Sequence, residues 1–251
     1  MKIGIIGYGK MGQLIENAAS AKGHTCISID PINPNAAYQE LSNSLLDQLD
    51  VCIEFSHPDC VLENISKIVA SRTNLVVGTT GWYSSIDTVR LAVQEAQIGF
   101  IYASNFSVGV HIFSEIVRNA AKIINKFEEY DIAGVETHHN QKADSPSGTA
   151  RTLAEILVEN LDRKEKLVFE TLDRKIDPKE LHFTSVRCGH VPGIHEINMD
   201  SEVDTITLKH SARNRGGFAK GAVFAAEWLA NKKGFFSIQD LVKETITNAT
   251  S

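Results

Sequence analysis

Met1-Lys2-Ile3-Gly4-Ile5-Ile6-Gly7-Tyr8-Gly9-Lys10-Met11-Gly12 joins an apolar run to a GxGxxG pattern. The apolar run predicts a buried strand at 2–6, and the residues that follow it predict a helix at 10–22. A second strand, predicted at 25–29, completes a βαβ unit and implies a parallel sheet. The glycine pattern therefore lies between a strand and a helix, which is the position that dinucleotide binding requires.

The glycines of this loop have separate expected roles. Gly7 permits the tight turn, Gly9 lets the backbone approach a pyrophosphate, and Gly12 lets the helix pack closely on the strand. Asp30 ends the second predicted strand, where a carboxylate can accept hydrogen bonds from an adenosine ribose. The alternative is that the glycines merely turn a tight loop, but the flanking strands and Asp30 in register favour nucleotide binding. We assign to the cofactor Gly7, Tyr8, Gly9, Lys10, Met11, Gly12 and Asp30.

Strands and helices continue to alternate in the first part of the chain. Strands are predicted at 51–55, 75–78 and 99–103, with helices at about 58–71 and 85–95. This alternation predicts an α/β fold with a Rossmann-type, doubly wound parallel sheet.

Two short polar segments follow predicted strands at their carboxyl ends, and such ends line the ligand crevice of a doubly wound fold. The hydroxyls of Thr79 and Thr80 are expected to hold the nicotinamide carboxamide, and Asn105 to orient the ring or the domain junction. Trp82 and Phe106 are candidates for stacking near the cofactor, although aromatic side chains more often fill a core. Ordinary turn chemistry is the alternative for both segments. The cofactor-binding candidates here are Gly78, Thr79, Thr80, Ala103, Ser104, Asn105 and Phe106.

The middle of the chain has a different pattern. After a predicted helix at 110–127, strands at 130–136, 183–187, 195–200 and 204–211 are interrupted by one predicted helix, at 148–160. This pattern predicts an α+β domain whose mixed sheet has meander connections. The charged segment 161–179 is expected to be an irregular surface excursion.

These patterns divide the chain into two predicted domains. A dinucleotide-binding domain is expected at 1–105, with a helix at 219–230 bringing residues 218–251 back to it. A substrate-binding and oligomerisation domain is expected at 106–217. Catalysis is expected in the cleft between them.

Composition narrows the class of ligand. The chain has 251 residues, is 43% hydrophobic and carries a formal net charge of −6, so we expect no affinity for nucleic acid or anionic membranes. Its four cysteines fall in no metal-ligand spacing and are expected to be reduced. Neither a signal peptide nor a transmembrane run is indicated, and we expect a cytoplasmic protein with a small-molecule ligand.

The most unusual stretch is His138-His139-Asn140-Gln141-Lys142-Ala143-Asp144-Ser145-Pro146-Ser147-Gly148-Thr149-Ala150. A strand ends in two imidazoles, a lysine follows, and Ser147, Gly148 and Thr149 begin a helix. Such a helix start can bind a carboxylate through its free N–H groups and hydroxyls. A protonated histidine or lysine beside it can donate a proton to carbon as hydride arrives.

Three other interpretations of this stretch remain open. A zinc site is disfavoured because adjacent histidines without an HExxH motif or cysteine partners lack a recognised ligand spacing, so no metal is expected. An N-capped helix with exposed histidines explains Ser147 and Thr149 without a function. A structural histidine with satisfied hydrogen bonds is the third.

The run from Glu136 to Ala150 resembles the ExHHxxKxDxPSGTA signature of the dihydrodipicolinate (4-hydroxy-tetrahydrodipicolinate) reductase family. Further matches to that family follow in the expected order over essentially the whole chain. They are Gly7 to Gly12, Glu54 to Pro58, Gly78 to Gly81, Asn105 to Val110, Val186 to Glu196 and His210 to Ala222.

The resemblance implies an oxidoreductase of diaminopimelate and lysine biosynthesis that uses NADH or NADPH and assembles as a homotetramer through the middle-domain sheet. It implies that His138 is the acid/base residue and Lys142 the proton donor. It also implies that the dicarboxylate substrate is bound by His139, Ser147, Gly148, Thr149 and Arg215. An interdomain salt bridge is the alternative for Arg215.

The sequence departs from the family pattern at three points. The glycine loop is one residue shorter than the common GxxGxMG form, and Ser145 stands where alanine is frequent. Asp30 is followed by Pro31, whereas many members pair an acidic residue with an arginine that binds the phosphate of NADPH. We therefore expect NADH to be favoured. Another two-domain NAD(P)H dehydrogenase and a non-catalytic nucleotide-sensing protein are the alternative functions.

Overall fold

Two β-sheets organise the protein in the computed structural model, which describes residues 1–249. One compact unit consists of Met1–Val108 and the chain from Arg215 onward, and the other of Gly109–Asn214. The predicted boundaries were 105 and 217, and residues 250 and 251 of the predicted returning segment lie outside the described residues. The functional assignments of the two domains stay predictions.

The secondary structure runs as follows. The strands are β1 (Lys2–Ile6), β2 (Thr25–Ile29), β3 (Val51–Glu54), β4 (Asn74–Val77), β5 (Gly99–Tyr102), β6 (Asp131–His138), β7 (Lys166–Val168), β8 (Glu180–Arg187), β9 (Ile194–Asp200), β10 (Thr205–Ser211) and β11 (Gly234–Ser237). The helices are α1 (Lys10–Ser20), α2 (Asn43–Leu46), α3 (Pro58–Ala70), α4 (Ile86–Ala96), α5 (Val108–Ile124), α6 (Gly148–Asn160), α7 (Gly216–Leu229) and α8 (Ile238–Ala249).

The first unit confirms the predicted Rossmann-type α/β fold. Its six strands are all parallel and lie in the order β11-β5-β4-β3-β1-β2. Ile3, Ile5 and Ile53 at the centre of the sheet are fully buried, because helices cover both of its faces. The strand order reverses between β1 and β3, and the carboxyl ends of strands at such a reversal form the ligand crevice of these folds.

The second unit has a mixed sheet, as predicted, in the order β10-β9-β6-β8-β7. β6 is parallel to β8 and antiparallel to β9, so the successive strands β8 and β9 lie on opposite sides of β6. The predicted meander is therefore wrong except for the β9–β10 pair. The reason is that α6 provides a crossover, which lets the chain return parallel to β6.

Short elements account for the other differences. The segment predicted to be irregular, 161–179, contains β7, which pairs with β8 through only three residues. Neither β11 nor the short helix α2 was predicted, and α8 lies beyond the predicted last helix. Within residues 1–249, no helix is both long and apolar enough to cross a membrane.

Candidate active site

The glycine loop of the first unit has the geometry that its pattern indicates. Gly7 has a φ of +88°, and a Cβ atom there would lie 2.4 Å from the carbonyl oxygen of Phe55. A Cβ atom on Gly12 would lie 2.2 Å from the carbonyl oxygen of Gly7, so α1 packs closely on the turn. Gly9 caps α1 and has no neighbour within 4 Å of its Cβ position. The backbone at the N-terminus of α1 is thus open to a phosphate group.

Asp30 organises this loop. Its Oδ2 accepts a hydrogen bond of 2.7 Å from the backbone N–H of Tyr8, and its Oδ1 accepts bonds of 2.9 Å from those of Ile32 and Asn33. Burial acts to raise the pKa of Asp30, but these three bonds outweigh it and hold the pKa below its ordinary value. Asp30 is therefore an anionic link between the glycine loop and the segment after β2, a role that the sequence did not indicate.

A cavity of about 470 Å³ lies beside the glycine loop, within the size range of small-molecule sites. Gly9 and Asp30 line one side of it, and residues on the loop after β3 and on α3 line another. That second wall, which sequence reasoning did not assign to the site, includes Ser56, His57, Asn64 and Lys67. The position of the loop in the sheet could have identified this wall. The loop follows β3, and β3 lies next to β1 where the strand order reverses.

Glu54 holds the loop after β3 in place. It is fully buried and accepts hydrogen bonds from the hydroxyl and backbone N–H of Ser56 and from Nδ2 of Asn64. Burial raises the pKa of Glu54, and the bonds from Ser56 and Asn64 oppose that shift. The buried carboxyl group of Glu54 thus positions Ser56 and Asn64, which line this wall of the cavity.

The loop after β4 contributes both buried and exposed candidates. A Cβ atom on Gly78 would overlap the ring of Phe55, so only glycine fits there. Thr80 is exposed, whereas Thr79 is buried. Trp82 is fully buried and donates a hydrogen bond of 3.0 Å from Nε1 to the carbonyl oxygen of Thr79, so it fills the core.

The loop after β5 is similar. Ser104 is exposed, and Oδ1 of Asn105 accepts a hydrogen bond of 2.8 Å from the backbone N–H of Ser107. Ala103 is buried, and the Phe106 side chain is only 1% exposed within the core. Of these residues, Ser104 and Asn105 have side chains that reach the surface, and Phe106 contributes its ring to packing.

In the second unit, the end of β6 brings buried polar groups together. His138 ends the strand with its side chain largely buried, and Glu136, two residues earlier on the same face, is fully buried. His195 on the neighbouring strand β9 lies close to both, with its ring centroid 5.2 Å from that of His138. The donor atoms of these three side chains lie within 4.8 Å of one another, which is close enough for a metal ion. Sequence spacing gave no sign of this, because His195 comes from another strand.

The start of α6 lies beside this cluster. Ser147 caps the helix, because its Oγ accepts a hydrogen bond of 3.1 Å from the backbone N–H of Ala150. Its own N–H donates to Oε1 of Glu136 at 2.9 Å, so the polar groups of Ser147 are already used within the protein. Gly148 is exposed, with no atom within 4 Å of its Cβ position, and Thr149 is half-buried. The open part of the helix start is therefore at Gly148 and Thr149.

Lys142 lies in the turn between these two features. Its Nζ forms an ion pair of 2.7 Å with Asp144, and its backbone N–H donates to the carbonyl oxygen of His139 at 3.2 Å. The hydrogen bond and charge of Lys142 hold the pKa of Asp144 below its ordinary value. Lys142 therefore has a local anionic partner, and His139 beside it is half-buried.

The structure does not group all the predicted residues in one unit. His138, His139, Lys142, Gly148 and Thr149 lie in the second unit. Arg215, predicted to bind the same substrate, is an exposed residue that caps α7 in the first unit. The nucleotide-binding candidates also lie in the first unit.

Comparison with known proteins covers nearly the whole chain. The family model described as "Dihydrodipicolinate reductase, N-terminus" matches residues 1–106, and the one described as "Dihydrodipicolinate reductase, C-terminus" matches residues 109–242. The 4-hydroxy-tetrahydrodipicolinate reductase of Christiangramia forsetii is 36% identical over 248 residues, covering 99% of this chain and 100% of that protein. The enzyme of the same name from Akkermansia muciniphila is 37% identical over 239 residues, covering 93% and 94%.

A solved structure has the same fold. The dipicolinate-bound dihydrodipicolinate reductase from Paenisporosarcina sp. TG-14 superposes with a TM-score of 0.76. The match covers 96% of this chain and 98% of that one at 21% sequence identity.

Proposed function

The chain belongs to the dihydrodipicolinate reductase family, and on that premise we propose that it reduces 4-hydroxy-tetrahydrodipicolinate to tetrahydrodipicolinate in diaminopimelate and lysine biosynthesis. The observation that carries this proposal is the 36% identity over 99% of the chain to a reductase of that name. Another NAD(P)H dehydrogenase of two-domain design has no reason to carry the HHxxK and PSGT combination. A nucleotide-sensing protein would bind the cofactor without turnover.

The second unit is proposed to bind the dicarboxylate. The exposed backbone at Gly148 and the half-buried Thr149 offer first-turn N–H groups and a hydroxyl to a carboxylate. His139 is proposed as a further contact to the substrate, and the role of Arg215 in binding the substrate stays a prediction, because Arg215 lies in the first unit. Ser147 is proposed to act mainly through its cap, since its N–H and hydroxyl are both engaged.

His138 and Lys142 are proposed to manage the proton. After the substrate has lost water, its reduction at C4 requires a proton at the adjacent carbon, and a bound reduced nicotinamide would supply the hydride. The family assigns that proton to a histidine and a lysine at these positions. Lys142 is held near the end of β6 by its ion pair with Asp144, and His138 by the buried groups around it.

The first unit is proposed to bind the nucleotide, with NADH favoured over NADPH. Gly9 leaves the start of α1 open to the pyrophosphate. Asp30 and Glu40 line the adjacent cavity and would repel a 2′-phosphate, whereas the charge of Glu63 there is balanced by Lys67. Lys67 in the same cavity is paired with Glu63 at 2.8 Å. Lys10 is the cation that opposes this preference, because it lies exposed in the glycine loop.

A coupled assay tests the reaction. The substrate is generated from pyruvate and aspartate semialdehyde while the nicotinamide absorbance is followed. Wild type should consume NADH, and replacing His138 or Lys142 by alanine should lower turnover by roughly a hundredfold or more with nucleotide binding retained. No turnover by folded wild type would contradict the proposal, and near-normal turnover in either variant would remove that residue from the mechanism.

The nucleotide preference is tested with Asp30→Asn. Asparagine keeps one oxygen for the N–H groups of Ile32 and Asn33 but removes the charge, so the ratio of kcat/KM for NADH over NADPH should fall. Asp50→Asn is the control, because Asp50 also accepts a backbone N–H bond but lies before β3, outside the cavity. A wild type that prefers NADPH severalfold would overturn the assignment.

The proposal extends to assembly and location. We propose a cytoplasmic homotetramer built through the sheet of the second unit. The face of that sheet turned away from its buried core carries polar side chains. Lys209 pairs with Glu196 at 2.6 Å there, and Thr207 donates to Asn198 at 2.8 Å.

A further inference from the structure

Glu136 uses one carboxylate oxygen to connect three elements. Its Oε1 accepts hydrogen bonds from the backbone N–H of Ser147 at 2.9 Å, from Oγ of Ser185 at 2.7 Å and from Nη2 of Arg187 at 3.3 Å. The first donor belongs to the cap of α6 and the other two to β8. With three donors, the acceptor capacity of Oε1 is fully used.

The other oxygen of Glu136 faces two imidazoles. Its Oε2 lies 3.1 Å from Nδ1 of His138 and 3.6 Å from Nε2 of His195. Oε2 of Glu136 and Nδ1 of His138 are both buried, and among the described residues neither atom makes a hydrogen bond of ordinary geometry. Leaving two such groups unpaired would be costly, which favours a hydrogen bond between them.

The direction of that hydrogen bond follows from charge. Burial acts to raise the pKa of Glu136, but the bonds that Oε1 accepts from Ser147 and Ser185 help to hold the pKa far below its ordinary value, and the guanidinium of Arg187 lies 3.3 Å from the same oxygen. An ionised carboxylate accepts and cannot donate, so the proton of this pair lies on Nδ1 of His138. The neutral ring then has no proton on Nε2, the nitrogen that lies beside Gly193.

We propose that Glu136 is a positioning residue that fixes His138 as the Nδ1–H tautomer, so that Nε2 takes up a proton to give an imidazolium beside the carboxylate and then passes that proton to the reacting substrate. The inference deepens the proposed reductase function and rests on it for its kinetic consequences. Because the same carboxylate binds the N–H of Ser147, Glu136 also sets the position of His138 relative to the start of α6. The proton-exchanging atom and the anion-binding N–H groups are thereby held by one side chain.

Glu136→Gln separates the two roles of the carboxylate. The amide oxygen replaces Oε1 and keeps its three donors, which leaves the NH₂ group in the place of Oε2. An NH₂ group donates, so Nδ1 of His138 must accept and the proton must move to Nε2. The substitution should therefore reverse the tautomer while β8 and α6 stay connected.

The tautomer is read by long-range ¹H–¹⁵N NMR on full-length, ¹⁵N-histidine-labelled protein treated with a chelator. The His138 signals are identified by their loss in His138→Asn. Wild type should show the Nδ1–H form and Glu136→Gln the Nε2–H form. Ser185→Ala is the matched control, because it removes one donor to Oε1 and leaves Oε2 unchanged, so its tautomer should be that of wild type.

Kinetics provide the second readout. In Glu136→Gln, kcat should fall by roughly a hundredfold or more with a small change in the KM of the substrate, because a neutral amide does not stabilise the imidazolium that forms when Nε2 takes up the proton it delivers. An Nε2–H form in wild type, or an unchanged tautomer in Glu136→Gln, would overturn the proposal. Since the NMR measurement needs no turnover, its result stands even if the protein were not a reductase.

Discussion

At Gly193 a side chain would meet both backbone strain and the imidazole of His138, which is proposed to act in catalysis. Its φ is +153°, and a Cβ atom there would lie 3.0 Å from Nε2 of His138. We predict that Gly193→Ala lowers kcat about tenfold or more, because the methyl group would displace the ring of His138 or cover Nε2, the nitrogen proposed to exchange the proton. Steady-state kinetics with the coupled assay measures the effect.

Gly189→Ala is the control for this prediction. Gly189 also has a positive φ, of +50°, but no atom lies within 4 Å of its Cβ position. This variant should therefore carry backbone strain of the order of 1 kcal/mol without the contact to His138. Equal losses of kcat in both variants would show that strain, and not the approach to Nε2, causes the effect.

At the residue scale, the sequence predicted groups whose chemistry is local. The roles predicted for Gly7, Gly9 and Gly12 follow from one loop. In the structure Gly7 has a positive φ, Gly12 packs against the turn and Gly9 has open space around it. The partners of Glu136 could not be predicted, because they come from α6, β8 and β9 and meet only when the sheet forms. Likewise, nothing in the sequence shows that Ser147 has its N–H bound by Glu136.

At the element scale, the exposed N-terminus of α6 can be tested most directly as a binding site for a carboxylate. We predict that Gly148→Val weakens competitive inhibition by pyridine-2,6-dicarboxylate by about tenfold or more, because the new side chain fills the open space in front of the free N–H groups. Inhibition constants for wild type, Gly148→Ala and Gly148→Val should rise with side-chain size.

Thermal unfolding distinguishes a variant that blocks the dicarboxylate site from a variant that destabilises the fold. Gly148 has no neighbour within 4 Å of its Cβ position, and alanine in a helix is favoured over glycine by roughly 0.5–1 kcal/mol. Gly148→Ala should therefore unfold at the same temperature as wild type or above it. Unchanged inhibition in Gly148→Val would place the dicarboxylate elsewhere.

Glu180 forms ion pairs that stabilise the charged segment 161–179, which contains β7. Arg174 binds its carboxylate at 2.8 Å, and Lys166 lies 3.2 Å away, so the pKa of Glu180 falls from its ordinary 4.5 to about 2. A lowered pKa means that the ionised form is bound more favourably in the folded state. Its stabilising contribution is therefore present above pH 4.5 and is lost as the pH falls toward 2.

We predict that Glu180→Gln lowers the urea midpoint at pH 7 and that the difference from wild type narrows as the pH falls to 3. The control is Glu165→Gln, because Glu165 makes an ion pair of 2.7 Å with Lys179 in which both side chains are exposed. Exposed pairs contribute little, so that variant should change the midpoint much less. A difference for Glu180→Gln that stays constant with pH would refute the ionic origin.

At the element scale, capped and periodic segments were predicted best. The helix predicted at 148–160 has those bounds in the structure, and it begins at Gly148 because Ser147 caps it. β7 was not predicted because a strand of three residues in a charged segment shows no alternation of apolar and polar residues. Its formation depends on pairing with β8. Pairing of this kind is a property of the sheet, which a local window does not contain.

For the whole molecule, the testable property is assembly. Light scattering should give about four times the chain mass of 27.6 kDa if the proposed homotetramer forms. Asn198→Arg places a bulky charge on the polar face of the second sheet and should lower the mass while the monomer stays folded. Glu95→Arg, on the surface of α4, should leave it unchanged. A monomeric wild type would contradict the proposal.

The fold class of the whole molecule followed from the order of predicted elements, whereas the strand order did not. Alternating strands and helices indicate a parallel sheet wherever they occur, and the first unit has one. The edge position of β11 and the separation of β8 from β9 arise from long-range pairing. These strand pairings depend on how the helices cover the sheets. The local periodicity of hydrophobic residues contains no information about them.

The first unit is made of two stretches of chain with the second unit between them. On the ribosome, Gly109–Asn214 emerges before α7 and β11 exist. The nascent chain can therefore complete the mixed sheet while the six-stranded sheet still lacks its edge strand β11, and its β3 to β5 strands still lack the helix α7 that packs on them. Domains generally fold as units during synthesis. The part of the protein that is translated first is thus the last to become native, and until α7 emerges the apolar face that this helix covers stays exposed to water.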